Sequence, residues 1–526
     1  MSPRNARRTL THLSQGLVAA SLTLSLIACD PAGTGASATK GNPLGSAASN
    51  SPASTVASTP APTAAGSETG IQAGTSATPS FHLAPVTLDE PDNTDTDGNG
   101  LSAWATPRSQ RLRAGLERLP SAGLTPERIA AAEQASADTP DTSSSIVTVT
   151  YTPAQIRAAY GLPTLPAKWT GLSASAEAEY GAGQTIYIVD AYNSPTVPTD
   201  LAAFDTKFGL PTCATENVTT ATRLPLAAAT KLCTLEHAYT LDTGARHNTA
   251  PAYNSGWATE INLDVEWAHA TAPLARLILI EAEDNSSNGL DGAIALANSM
   301  GPGIVSMSWG SSEGSWVTSL DSLFQTTGMS YFAATGDAGR AVNWPSVSQY
   351  VVAVGGTSLN SYSGSTRDES VWSGTGGGLS AFVAEPGYQA SVTIPGQTST
   401  KMRGVADVAF NADPYTGQFL AITPQGAKTP SWYSAGGTSL ATPQWAALAA
   451  IANAARSNLK YPLLGSSVHS LLYALPGTST YGLAFKDITV GNDGTCTTCT
   501  AGVGYDLPSG LGTPNGNTLL AVLESN

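Results

Sequence analysis

From about residue 151 onward the chain alternates short apolar runs with helical stretches, and this alternation constrains the fold more than any other feature. TIYIVD (185–190), ARLILIEA (275–282), GIVSMSW (303–309) and MSYFAATGD (329–337) read as strands. Between them, WATEINLDVEWAHA (257–270) and GLDGAIALANS (289–299) read as helices. A strand that is apolar from end to end must be covered on both faces. The pattern therefore predicts an α/β fold, a parallel sheet flanked by helices. In such sheets the functional cleft lies at the carboxyl ends of the strands. Asp190, Trp309 and Asp337 fall at those ends.

The front of the chain is of a different kind. Arg4, Arg7 and Arg8 precede an apolar stretch, GLVAASLTLSLIAC, too short to span a bilayer comfortably. Its end, Leu26-Ile27-Ala28-Cys29, resembles the bacterial lipobox. That resemblance implies a signal peptide over 1–29, a lipid on Cys29, a membrane anchor and an extracytoplasmic location. Residues 30–80 are Ala, Ser, Thr, Gly and Pro with few large apolar side chains, so they read as a disordered linker. Residues 81–147 are polar with one helical patch, Ser109 to Leu119, and read as a short pro-segment or spacer before a body at 148–526. No apolar run beyond the N-terminus is long enough for a transmembrane helix. With 24 Lys+Arg against 39 Asp+Glu, the chain has little with which to neutralise phosphates, so nucleic acid is excluded as a partner. It is expected to be a monomer.

Besides Cys29 there are four cysteines. Export to an oxidising compartment makes two disulfides the expectation, Cys213 with Cys233 and Cys496 with Cys499. The CxxC at 496–499 is also compatible with redox or zinc chemistry, but neither a second CxxC nor a nearby His pair completes a zinc set.

The sharpest local motif is Gly436-Gly437-Thr438-Ser439, followed by Leu-Ala-Thr-Pro443 and an Ala-rich helix. The glycines allow a tight turn, and the serine hydroxyl lands at a helix N-terminus, where free N–H groups favour developing negative charge. An ordinary N-cap would look the same. The partner motif is Glu260-Ile261-Asn262-Leu263-Asp264. Its i, i+4 spacing puts two carboxylates on one helix face. Trp257, Ile261, Leu263, Val265 and Trp267 make that helix apolar on most sides, so the acid pair is predicted to be buried for a purpose.

GGTSxATP resembles the nucleophile motif of the subtilisin-like superfamily. Such a protein needs a His base, and none of His12, His82, His237, His247, His269 and His469 stands in the HGT context. Taken with the acid pair, the segments Ser306-Met307-Ser308-Trp309, Ala334-Thr335-Gly336-Asp337, Ala353 to Ser358, Gly374 to Gly378 and Asp407 to Asp413 resemble, in order and spacing, the sedolisin (serine-carboxyl peptidase, kumamolisin-like) family over about 151–526. The resemblance implies a subtilisin-like fold and a secreted endopeptidase acting on peptides or proteins. It makes Ser439 the nucleophile, Glu260 the general base, Asp264 its support and Asp337 the oxyanion acid. A carboxylate base, with a reference pKa of about 4.3 against about 6.5 for His, can stay ionised in acid, so acidic activity is expected. Asp190 is expected to extend the hydrogen-bond chain beyond Asp264, with Trp309 nearby. The same resemblance implies one structural Ca²⁺ held by the side chains of Asp487 and Asp506 and the carbonyls of Ile488, Gly502 and Gly504, hard oxygen ligands suited to that ion.

Sedolisins usually carry a large folded pro-domain. Here only about 65 residues separate the linker from the body, which puts autoprocessing in question. Two rival readings stay open at the level of sequence, a non-catalytic surface lipoprotein that keeps the fold for binding, and a subtilisin-type peptidase that uses one of the histidines.

Overall fold

The computed structural model describes residues 75–91, 107–136, 143–363 and 366–525. The signal segment, Cys29 and most of the linker lie outside these residues. All the described residues fall in one compact unit, Thr69–Asn526.

Its centre is a twisted sheet whose strands run in the spatial order Thr366–Val371, Val352–Ser363, Met329–Ala334, Gly303–Met307, Thr185–Ala191, Arg276–Ala282, Thr234–Thr240 and Ala214–Asn217. Every pairing along this path is parallel except the first, where the Thr366–Val371 edge runs antiparallel to its neighbour. Side chains alternate between two cores. Ile186 and Ile188, with Leu277 and Leu279, face one side. Tyr187 and Val189, with Ile278 and Ile280, face the other. The first core is shared with the Ser255–Thr271 and Thr438–Leu459 helices, and the Ser287–Met300 helix packs on the second. The predicted subtilisin-like parallel sheet flanked by helices is therefore the observed fold.

Local signals set the two helices on the first face. Asn254 caps the Ser255–Thr271 helix, its side chain accepting from the Trp257 amide at 3.1 Å, and Pro273 follows its end. Residues 257–271 are all buried, so this helix is enclosed on every side. Trp267 is anchored by its indole N–H to the Phe419 carbonyl at 2.9 Å. The Thr438–Leu459 helix springs from Gly437 at φ +101°, a conformation that excludes a side chain.

Two expectations are corrected here. The patch Ser109 to Leu119 is not a helix; Arg108–Arg113 is a strand paired antiparallel with Ser143–Thr150, followed by a short 3-10 turn at Leu116–Arg118. Residues 75–80, which by composition belong to a disordered linker, are ordered, and Thr78–Pro79 forms a strand. The stretch after it contributes more core than its polar composition suggests. Phe81, Leu83, Val86, Leu88, Leu112, Leu124 and Ile129 are all buried in the first core. Each such side chain contributes roughly 1.5–3 kcal/mol when fully buried. Both expected disulfides are formed, Cys213–Cys233 and Cys496–Cys499.

Candidate active site

The parity of the central strands decides what meets the acid helix. Asp190 shares the face of Ile186 and Ile188, and its register partner Glu281 shares that of Leu277 and Leu279. Both carboxyls thus point under the Ser255–Thr271 helix, which presents Glu260 and Asp264. All four acids are wholly buried. No well-directed donor reaches either oxygen of Glu260, Asp264 or Asp190, since the neighbouring Ser439 and Ser308 hydroxyls are directed to carbonyls. Bare buried carboxylates are so costly that protons must be held among them. Burial raises Glu260 well above the ordinary carboxylate range, and Asp264, Asp190 and Asp337 add to the rise while the nearby Ser439 hydroxyl opposes it. Burial, then Asp190, does the same to Asp264, against the Ser308 hydroxyl and Glu260. Asp190 is raised by burial and by Glu281.

Ser439 is the second residue of its helix and fully buried. Its hydroxyl donates to the Ser308 carbonyl at 2.8 Å. Pro443 lacks the N–H that would bond the Ser439 carbonyl in a regular helix. The Ser308 hydroxyl stands in for it at 3.4 Å. Asp337 follows the Met329–Ala334 strand and is held by the residue before the serine: Thr438 donates its N–H at 2.9 Å and its hydroxyl at 2.7 Å to Oδ1. Burial lifts Asp337 to about 7 despite those two bonds. Its Oδ2 is the free oxygen and faces Gly437, where an added methyl group would stand 2.7 Å away. Trp309 lies in the second core, and its indole N–H donates to the Val189 carbonyl at 2.7 Å, beside Asp190 along the chain and not on its carboxyl.

Part of this site carries no sequence signal. His82 precedes the body expected from the sequence, yet its Nε2 is 3.3 Å from Asp337 Oδ2. Its Nδ1 pairs with the Ser121 hydroxyl at 2.9 Å, and its ring meets Trp372 edge-on. Ser80 lies in the expected linker, but its carbonyl accepts the Ser439 N–H at 3.0 Å. Neither residue stands in a motif, and only the fold brings them to the serine. Of the other described histidines, His237 pairs with Glu281 at the far end of the acid row, and His269 with Asp205, His469 with Asp407 and His247 against Tyr239 are engaged elsewhere.

The residues expected to hold calcium converge at one loop. The Gly504 N–H donates to Asp487 Oδ2 and the Gly502 N–H to Asp506 Oδ2, both at 2.9 Å. Ser509 donates twice to Asp506 Oδ1. Asp487 Oδ1 is buried without a partner, and burial, with a smaller contribution from Asp487, raises Asp506 to about 6. Two acids in each other's field with an orphan oxygen fit a hard cation. Among the described residues the one cluster of three His, Cys or acidic ligands is Cys213, Cys233 and His269, whose sulfurs are already joined. No described helix is long and apolar enough to cross a membrane.

The sheet, the enclosed acid helix and the serine after a double glycine are in keeping with the Subtilase family model, which matches residues 253–473. The chain also resembles the sedolisins, as its motifs implied. It is 35% identical to kumamolisin of Bacillus sp. (strain MN-32) over 295 residues, half of each chain. It is 32% identical to sedolisin of Pseudomonas sp. (strain 101) over 200 residues, covering 35% of this chain and 31% of that one. The alignments span half or less of these relatives' length. The solved structure of Pseudomonas sedolisin complexed with pseudo-iodotyrostatin superposes with a TM-score of 0.54 at 23% identity, covering 72% of this chain and 99% of that one.

Proposed function

We propose that this chain is a serine-carboxyl endopeptidase that works in acid. The observation that carries the reading is the convergence on one point of a helix-terminal serine, a buried carboxyl pair and a third carboxyl tied to the serine's neighbour. Ser439 attacks a peptide carbonyl as Glu260 takes its proton, and Asp264 holds Glu260 in place and shares its charge. The developing oxyanion lies against the Ser439 N–H and the Asp337 carboxyl. Asp337 can donate to it only when protonated. The acyl-enzyme is then hydrolysed with Glu260 serving as base a second time. Asp190 extends the acid chain beneath the pair and restrains full ionisation of Asp264, and Glu281 acts in the same way on Asp190.

The same reading makes the protein exported and anchored through Cys29, monomeric, and stabilised by one Ca²⁺ at Asp487 and Asp506. The ion would supply charge that lets both carboxylates ionise together. Excess chelator is expected to lower the melting temperature; an unchanged value would mean that no stabilising ion is held there. For the catalytic reading the test is casein cleavage at acidic pH by single variants. Ser439→Ala and Glu260→Ala should each abolish it, and His237→Ala should not. Loss on His237→Ala with retention in Glu260→Ala would transfer the role to a histidine base.

A further inference from the structure

The Cys213–Cys233 pair meets His269 in a way that the disulfide does not use. Cys213 and Cys233 directly precede Ala214–Asn217 and Thr234–Thr240, adjacent parallel strands at the edge of the sheet, and their Cα atoms stand 4.7 Å apart. That is the ordinary spacing of neighbouring strands, so the backbone holds the two sulfurs side by side whether or not they are bonded. His269 comes from the last turn of the Ser255–Thr271 helix and is wholly buried. Its Nδ1 lies 3.5 Å from each sulfur. Its Nε2 lies 3.1 Å from Oδ1 of Asp205, on the Val197–Phe208 helix. Asp205 is buried too, and among the described residues neither of its oxygens has another hydrogen-bond partner.

These contacts set the ring. A carboxylate only accepts, so Nε2 carries the proton that Asp205 receives, and in the neutral ring Nδ1 keeps a lone pair aimed at the two sulfurs. In the disulfide those sulfurs carry no hydrogen, and the lone pair has nothing to bind. With the S–S bond open, the same three atoms make a ligand set. A tetrahedral Zn²⁺, with bonds of about 2.3 Å to sulfur and about 2.05 Å to nitrogen, sets sulfur and nitrogen about 3.5 Å apart and the two sulfurs about 3.8 Å apart. The first spacing is already present. The second needs only rotation of the two cysteine side chains. An imidazole whose other nitrogen is held by a carboxylate is the usual form of a zinc-bound histidine.

We propose that Cys213, Cys233 and His269 form a redox-gated site for a thiophilic divalent cation, closed while the disulfide stands and opened when a dithiol reduces it. Cys213, 9% exposed, is where the dithiol enters. The dithiol gives up two electrons and becomes a cyclic disulfide, and its two protons end on the Cys213 and Cys233 sulfurs. The cation then binds as both thiols release those protons, and the two thiolates neutralise its charge. His269 Nδ1 is the third ligand and water the fourth. Asp205 is a positioning residue that holds the ring through Nε2. Two thiolates and an imidazole suit Zn²⁺ over Mg²⁺ or Ca²⁺. The bound ion joins both edge strands to the helix that carries Glu260 and Asp264, a link the disulfide lacks.

The test uses the full chain carrying Cys29→Ser, Cys496→Ser and Cys499→Ser, so that only Cys213 and Cys233 respond. The chain is reduced with a dithiol, freed of reagent under nitrogen and titrated with Co²⁺ at pH 7, its thiols counted by alkylation and intact mass. The reduced chain should take up one Co²⁺ with the intense visible bands of a tetrahedral thiolate site. Zn²⁺ should displace that ion and raise the melting temperature of the reduced chain, and the disulfide form should do none of this. His269→Ala should weaken binding at least about a hundredfold and Asp205→Asn about 10–100-fold. Melting of each disulfide form shows that the variant is folded, and where His269→Ala is not, Asp205→Asn decides. A disulfide that the dithiol cannot open in the folded chain would overturn the site. So would a reduced chain that takes up no Co²⁺, or uptake that is equal in the variants or in the disulfide form.

Discussion

Thr438 clasps Asp337 Oδ1 with its N–H and its hydroxyl, at 2.9 and 2.7 Å, so the acid proposed to face the oxyanion is fixed to the residue beside Ser439. The clasp leaves Oδ2, which faces Gly437 and lies 3.3 Å from His82 Nε2, as the oxygen on which a proton is held. Both bonds also lower the Asp337 pKa against burial, which still leaves it at about 7.

The alkaline limit of activity follows from that value. Above about pH 7 Asp337 ionises and turns from donor into repeller of the oxyanion. The alkaline limb of kcat/KM should therefore lie near pH 7. Thr438→Val, which loses one of the lowering bonds, should move that limb upward. Asp337→Ala should cost about 10²–10³ in kcat, the usual loss of one oxyanion donor. Kinetics of the variants from pH 3 to 9 check all three.

The acid limb belongs to the pair. Glu260 must be ionised to accept a proton, and burial with Asp264 and Asp190 nearby raises it. Activity should fall as pH drops through the pair's lower apparent pKa, below which both carboxyls are protonated; that value is a property of the coupled acids and not of one residue. Asp190→Asn removes one of the raising charges, so it should shift the acid limb to lower pH while leaving KM little changed. A pH–rate profile unmoved by Asp190→Asn would show that Asp190 is a structural acid.

Much of this site is legible in the sequence. The central strands are contiguous apolar runs because both their faces are buried, and Glu260 and Asp264 stand out because two acids do not otherwise sit in so apolar a helix. Ser80 and His82 are not legible. Strands of two residues have no periodicity, and their partners at 309–310 and 435–436 lie more than 200 residues away. The Arg108–Arg113 strand resembles a helix in sequence because Arg, Gln and Leu favour that state, and pairing with the β-branched Ile146, Val147, Thr148 and Val149 overrides the preference. Thr438 carries no signal beyond its place in the glycine turn.

His82 makes the seating of residues 75–91 sensitive to acid. Burial holds its pKa near 4, against about 6.5 when free. A released His82 binds a proton below about 6.5 and a seated one only below about 4, so falling pH favours release through that window, by roughly 3 kcal/mol at its end. Asp337 opposes this, because its raised pKa favours the seated, protonated state as pH falls. Asp413 and Asp493 line the same 660 Å³ cavity. Hydrogen-exchange protection of residues 75–91 in Ser439→Ala, corrected for the intrinsic pH dependence of amide exchange, should fall from pH 6.5 to 4, and adding His82→Gln should remove His82's share of that fall. Equal loss of protection in both would show that His82 plays no part in the release.

Stability in acid has a separate source. Arg403 and Asp407, both fully buried, meet at 2.8 Å, and Asp407 also accepts from the Tyr473 hydroxyl and the Ala353 N–H. Although burial opposes it, Arg403 holds the Asp407 carboxyl well below its ordinary range. A depressed carboxylate stabilises above its unfolded pKa of about 3.9 and loses that contribution only as pH falls through the lower folded value. The pair thus survives at the working pH. Asp407→Ala strands a buried guanidinium and should cost about 3–5 kcal/mol. Thermal unfolding at pH 4 and pH 7 should show the loss at both.

The central claim is that Ser439 is a nucleophile served by carboxyl groups and not by a histidine. The most direct measurement is cleavage of a peptide substrate from pH 3 to 8 by the wild type and by Ser439→Ala. The wild type should give a bell-shaped rate, with its maximum below pH 7 and its alkaline limb near Asp337's value of about 7, and Ser439→Ala should give no cleavage. A rate that rises steadily to pH 8, or one that persists in Ser439→Ala, would contradict the claim.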